Sequence, residues 1–181
     1  MDNPVGRIAT PVARVAAIAC GYGILALSLA IAVEIVGRKF FGFSLQGIDD
    51  IGGYALAISA SIGACYTMAV RGHTRIDVFV VRMPKAWQAV LNATAMASLA
   101  VFAAFAFWRG ANVLEESVEF RSVATNPLQT PLWIPQSAWL FGLGLFAAFA
   151  AAYAAHALYL LAVDRRRLNK LNGPATALDE V

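Results

Sequence analysis

The fold of this chain is decided by residues 34–84, which read EIVGRKFFGFSLQGIDDIGGYALAISASIGACYTMAVRGHTRIDVFVVRMP. The middle of this stretch, residues 51–70, contains no charged side chain. An uncharged run of this length suits the hydrocarbon core of a bilayer, which a helix of about 20 residues can cross. Charged groups are gathered at its ends: one cap holds Glu34, Arg38, Asp49 and Asp50, and the other holds Arg71, His73, Arg75 and Asp77. The stretch therefore predicts a membrane-spanning helix between two polar caps.

The composition of the whole chain indicates the same class of protein. Of its 181 residues, 60% are hydrophobic and 14% are charged, whereas about 25% are charged in soluble domains. The net charge is +3, but the basic residues flank apolar runs, so we interpret them as topology signals rather than as a nucleic-acid surface. Cys20 and Cys65 lie within apolar runs and lack the spacing of metal ligands, which favours a packing role.

Four runs contain no Asp, Glu, Lys or Arg: residues 15–33, 51–70, 86–108 and 139–163. As a helix even the shortest covers about 28 Å, which is close to the hydrocarbon thickness of a bilayer. We expect an all-α integral membrane protein that forms one domain, with spans at about 15–36, 51–70, 86–108 and 137–163 and a disordered tail over 171–181. The third helix can continue past Trp108, since residues 109–120 contain no proline. Three prolines predict a non-helical connection over residues 122–137: Pro127, Pro131 and Pro135.

The flanking charges predict the orientation of the spans. Ten Lys and Arg residues fall on the side of the two termini and of the loop after the second span, and four fall on the other side. By the positive-inside rule, both termini are expected to be cytoplasmic. Residues 71–85 are expected to form a short interfacial helix that places Asp77 on its apolar face. Because such a carboxylate needs a partner, Arg71 and His73 are its candidates.

The caps and the spans also contain candidate interface residues. Glu34 and Arg38 are spaced for an ion pair on one helix, and Asp50 suits the positive end of the second helix dipole. Two rows of small residues on the second span favour close helix packing, either within this chain or against another subunit: Ala55, Ser59, Gly63 and Ala57, Ser61, Cys65. Three carboxylates beyond the third span form either a solvated face or a docking patch for an extracytoplasmic partner: Glu115, Glu116 and Glu119.

The four runs hold no charged residue at mid-membrane depth, where coupled carriers and channels keep ionisable groups. This absence favours a structural partner of a larger carrier over a carrier. The sequence shows no nucleophile–base set, phosphate loop or metal-ligand spacing, so we expect neither catalysis nor a cofactor. His73 and His156 could meet at one membrane face as haem ligands, and the alternative interpretation is therefore a membrane-anchor subunit of a redox enzyme.

At the caps the chain resembles the small permease subunit of tripartite ATP-independent periplasmic (TRAP) transporters, the DctQ family. The resemblance rests on EIVGRKFF from Glu34, on Asp50 and Tyr54, on the RGHTRIDVFVVRMP segment and on PLWIP at 131–135, and it extends over about residues 15–163. The residues that match recurring positions of that family are Glu34, Arg38, Asp50, His73, Asp77 and Pro84. The chain departs from the family at the start of the second span, where Gly47 and Asp50 stand in place of a frequent tryptophan and glutamate.

The resemblance implies a four-span subunit that extends the scaffold of a large permease. In that family the permease moves substrate and sodium, and a soluble periplasmic protein delivers the substrate, which is often a carboxylate such as a dicarboxylate. Glu34, Arg38, Asp50, Arg71, His73 and Asp77 are then candidate subunit-interface or structural residues. The glutamates after the third span are candidate docking residues for the periplasmic protein.

Overall fold

The computed structural model describes residues 4–42, 47–70, 80, 82–125 and 129–172. The described ranges form four long helices and a short one: α1 (Pro4–Phe41), α2 (Ile48–Ala69), α3 (Lys85–Glu119), α4 (Trp133–Val163) and α5 (Arg165–Asn172). Residues 71–79 and 81 of the expected interfacial helix, and with them Arg71, His73 and Asp77, lie outside the described residues, and residues 82–84 are not helical.

The four long helices are each long and apolar enough to cross a membrane, which confirms the prediction of an all-α protein with four spans. α3 continues through Glu119 without a break, as the absence of proline had suggested. Its 35 residues correspond to roughly 50 Å, about 20 Å more than the hydrocarbon core requires. α3 is therefore considerably longer than a single crossing of the bilayer requires.

The connection between α3 and α4 differs in part from the prediction. Residues 133–137 are helical although Pro135 lies among them. Pro135 is in the first turn of α4, where a backbone N–H has no helical acceptor, so the missing donor costs no helical hydrogen bond. The non-helical part is shorter, and an antiparallel bridge between Val123 and Pro131 joins its two sides.

α4 is the centre of the bundle, because it packs against α2 on one side and α3 on another. Small residues make this approach possible. Ala103 of α3 and Ala150 of α4 are completely buried and lie in one core cluster with the larger Met68, Phe146 and Tyr153. α1 packs mainly along α2 and has few contacts with α4.

α5 turns back onto the bundle immediately after α4. Asp164 caps it, since its carboxylate Oδ1 accepts hydrogen bonds from the backbone N–H groups of Arg166 at 3.1 Å and Arg167 at 3.0 Å. Leu168 and Leu171 are buried in a second core cluster with residues of α3 and α4. The last span is thus followed by a short amphipathic helix that packs against the bundle.

Candidate functional site

Glu34 and Arg38 form the predicted pair near the end of α1. A guanidinium nitrogen of Arg38 donates to Glu34 Oε1 one helical turn away. The Glu34 residue is only 2% exposed, whereas the Arg38 side chain is 60% exposed. The buried Glu34 carboxylate is thus paired with a guanidinium that remains largely exposed. Phe40 and Phe41, which follow in sequence, are strongly exposed. This cap of α1 combines an ion pair with an apolar rim.

Asp50 lies in the first turn of α2, as the dipole argument predicted, and is half-buried. α2 begins after Gly47, whose φ of 86° is in the left-handed region. A residue with a Cβ is strained in that conformation. Gly47 therefore permits a tight left-handed entry into α2.

One row of small residues on α2 packs within this chain. A Cβ placed on Gly142 of α4 would lie 2.2 Å from Ser61 Oγ, and Cys65 Sγ lies 3.8 Å from the Gly142 carbonyl oxygen. The backbones of α2 and α4 therefore approach closely at Ser61 and Cys65, which answers for this row the question that the sequence left open. Gly63, in the other row, has open space around its Cβ position as far as the described residues extend.

α1 leaves a broad apolar surface uncovered in the described part of the chain. None of the most apolar 18-residue window of α1 is buried. Exposed side chains recur at helical spacing on the face away from α2, and we call them the α1 stripe: Val15, Ile18, Tyr22, Leu25, Leu29, Val33 and Val36. This surface must contact either lipid or another protein.

The three predicted docking carboxylates lie on the last two turns of α3 and are all exposed. They are Glu115, Glu116 and Glu119. Beside them is an open cavity of about 470 Å³ with mostly apolar walls, lined by Val118, Arg121, Ser122, Val123, Pro131 and Trp133. This end of α3 thus presents negative charge next to exposed apolar side chains, a combination suited to a protein partner.

His156 lies in α4, is half-buried, and its Nδ1 atom has no hydrogen-bond partner among the described residues. The proposed second haem ligand, His73, lies outside the described residues, so their pairing stays a prediction, as do the partners suggested for Asp77. In the ranges that the structure describes, no group of three or more His, Cys, Asp or Glu side chains could hold a metal ion.

α5 is not predicted from the sequence. The expected disordered tail over 171–181 is wrong for Leu171 and Asn172, which belong to α5, and residues 173–181 lie outside the described residues. Asn169 fixes α5 to α3: its side-chain Nδ2 donates to the Lys85 carbonyl at 2.8 Å, and its Oδ1 accepts from Asn92 at 3.1 Å. The signals that could have revealed it are the capping aspartate and the leucine pair spaced by three residues, Asp164, Leu168 and Leu171.

Comparison with known families gives one match, to the family described as tripartite ATP-independent periplasmic transporters, DctQ component, over residues 27–160. This range covers about three quarters of the chain. Neither the curated proteins nor the solved structures contain a match. The four spans and the family match together make the chain a multi-pass membrane protein and a transporter component, and it belongs to the DctQ family of TRAP transporter small permease subunits.

Proposed function

We propose that this chain scaffolds the large permease subunit of a TRAP secondary transporter. The permease would bind sodium and carry organic acids, such as dicarboxylates, that a periplasmic binding protein delivers. The family match supports the role of small subunit. The lack of charged residues at mid-membrane depth in the spans supports placing the coupling site in the partner, and in this proposal the chain itself has no catalytic role and no cofactor.

The observation that carries the proposal is the α1 stripe. α1 packs on α2 but leaves the whole opposite face uncovered. Lipid can cover this face, but so can the helices of a permease, since helix association in membranes depends on close packing rather than on hydrophobicity. The Glu34–Arg38 pair and the exposed Phe40 at one end of α1 would set the depth of the contact. On this proposal the candidate interface residues hold the two subunits in register.

The charge distribution supports an orientation with both termini in the cytoplasm of a bacterial inner membrane. Since the spans alternate in direction, the start of α1, the start of α3 and all of α5 lie at one end of the bundle. That end contains the larger share of the basic residues. In this orientation the glutamates at the end of α3 face the periplasm and become available for docking of the binding protein.

The test is co-purification and uptake. A tagged copy of this chain, expressed with a large permease and a binding protein, is expected to retain the permease in mild detergent and to be required for uptake. Tryptophan at Leu25, in the middle of the α1 stripe, should reduce the recovered permease. Tryptophan at Val101 is the matched control, because it is also exposed but lies on α3. Full assembly and uptake without this chain would contradict the proposal, and equal loss for both variants would contradict the assignment of the stripe.

Docking is tested separately by converting Glu115, Glu116 and Glu119 together to lysine. If the carboxylates attract the binding protein, transport should require a higher concentration of it, while the recovery of the permease stays unchanged. Unaltered dependence on the binding protein would return the three residues to the role of a solvated helix face.

A further inference from the structure

The short helix α5 presents a fixed group of cations at the end of the last span. Leu168 and Leu171 are buried against α3 and α4, and Asn169 bonds to both Lys85 and Asn92. These contacts determine which face of α5 points outward. In helical geometry, Arg166 and Lys170 lie opposite the two leucines.

Four cations of α5 are exposed: Arg165, Arg166, Arg167 and Lys170. Arg166 and Lys170 lie on its outward face, whereas Arg165 and Arg167 flank the buried leucines, and Arg165 Nε donates to the Leu161 carbonyl at 3.3 Å. Arg166 and Lys170 are one turn apart, a like-charge spacing that destabilises an isolated helix. Asp164 immediately precedes the cluster in sequence, and its Oδ1 already accepts hydrogen bonds from the backbone N–H groups of Arg166 and Arg167. Within the described residues no carboxylate forms a salt bridge with these four cations. The cluster is therefore a concentrated positive field that can attract an anion from outside these residues.

The surface that leads to this cluster is apolar. The last turns of α4 expose Leu158, Tyr159 and Val163, and the cations follow directly after Val163. At the same end, Trp87 near the start of α3 is strongly exposed, and tryptophan is enriched at the boundary between membrane and water. An apolar column that ends in fixed cations matches one kind of molecule in shape and charge, a lipid with a negative headgroup.

We propose that α5 and the last turns of α4 form a binding site for an anionic phospholipid such as phosphatidylglycerol. The phosphate would lie between Arg166 and Lys170, where a guanidinium can donate two parallel hydrogen bonds and the ammonium a third contact. The acyl chains would follow the exposed side chains of α4. The site requires only that this end of the bundle lies at a membrane surface, so it is independent of the transport partners proposed above.

The test uses the full chain in detergent micelles, with bound lipid counted by native mass spectrometry. Each cation near an anionic surface contributes about 1 kcal/mol, so removing two predicts binding of phosphatidylglycerol roughly 30-fold weaker in the R166Q/K170Q variant. The control is R7Q/R14Q, which removes the same charge from exposed positions of α1 at the same end of the bundle. We expect that control to stay within about threefold of the wild type, as distant surface charges are largely screened.

Three comparisons complete the experiment. Phosphatidylcholine should bind more weakly than phosphatidylglycerol, inorganic phosphate should fail to displace the bound lipid, and added salt should weaken binding to the unmodified protein. The salt series needs no variant, so the proposal stays testable even if a substitution impairs folding. Equal binding of the two lipids, displacement by phosphate, unchanged binding in R166Q/K170Q or an equal loss in R7Q/R14Q would each overturn the site.

Discussion

Replacing Gly142 with alanine tests whether α2 and α4 approach as closely as the structure shows. The new Cβ would lie 2.2 Å from Ser61 Oγ, 3.0 Å from Ser61 Cβ and 3.3 Å from Ile62 Cγ1. The Ser61 hydroxyl cannot simply rotate away without cost, since it donates to the Ile58 carbonyl at 2.8 Å. Either this hydrogen bond breaks or the two helices separate.

The expected loss of stability follows from these contacts. Overpacking a tight contact costs about 1–3 kcal/mol, and losing a neutral hydrogen bond costs about 0.5–1.5 kcal/mol. We therefore expect Gly142→Ala to lower the free energy of unfolding by about 2 kcal/mol. The matched control is Gly63→Ala on α2, where the described part of the chain leaves open space around the Cβ position. That control should be neutral or stabilising by about 0.5–1 kcal/mol, because alanine favours the helix.

The assay is reversible unfolding of the isolated chain in mixed micelles, followed by circular dichroism. A double variant separates the clash from other effects: Ser61→Gly removes the two closest atoms and should recover about 1–2 kcal/mol of the Gly142→Ala loss, within the range seen for coupled neighbours. If Gly142→Ala is as stable as the wild type, the close approach of α2 and α4 is wrong. If Ser61→Gly recovers nothing, Ser61 is not the residue in contact.

Three further outcomes are expected. Arg38→Ala should destabilise the chain by about 1–3 kcal/mol in the same unfolding assay, since it removes a partner of the buried Glu34. The control Lys39→Ala removes an adjacent exposed cation and should change stability by less than about 0.5 kcal/mol. Equal effects of the two substitutions would contradict the role of the ion pair. Leu168→Ala should release α5 from the bundle and make the C-terminal segment sensitive to protease. Truncating this fully buried leucine costs about 2–5 kcal/mol, and an eight-residue helix has few other contacts to hold it in place. Asp164→Ala should weaken the start of α5 by about 1 kcal/mol, visible as faster amide exchange in α5 alone, and unchanged exchange would argue against the cap.

Local features of this chain could be predicted from the sequence. The four spans follow from uncharged runs, because a helix satisfies its own backbone hydrogen bonds and needs no knowledge of its neighbours. The Glu34–Arg38 pair follows from the spacing of one helical turn. Glu119 could be placed on α3 because no proline lies between Arg109 and that residue. Each of these conclusions depends on residues close together in sequence.

Other features depended on contacts between distant residues. Pro135 favours a non-helical connection by itself. In the structure it lies in the first turn of α4, where the backbone N–H that proline lacks would have no helical acceptor. Asp164, Leu168 and Leu171 are compatible with a short capped helix, but only the burial of the two leucines against α3 and α4 shows that α5 packs on the bundle.

The sequence shows which four segments are long and apolar enough to cross a membrane, whereas only the folded structure shows how the helices lie side by side. The physical reason is that lipid tails are about as apolar as the protein interior. The hydrophobicity of a segment therefore indicates that it lies in the membrane but does not indicate whether lipid or another helix covers a given face. Ser61 and Gly63 are small residues on the same span, yet only Ser61 packs against α4. Which residue packs depends on how the surfaces of α2 and α4 fit together, and the sequence of one helix describes only one of these surfaces.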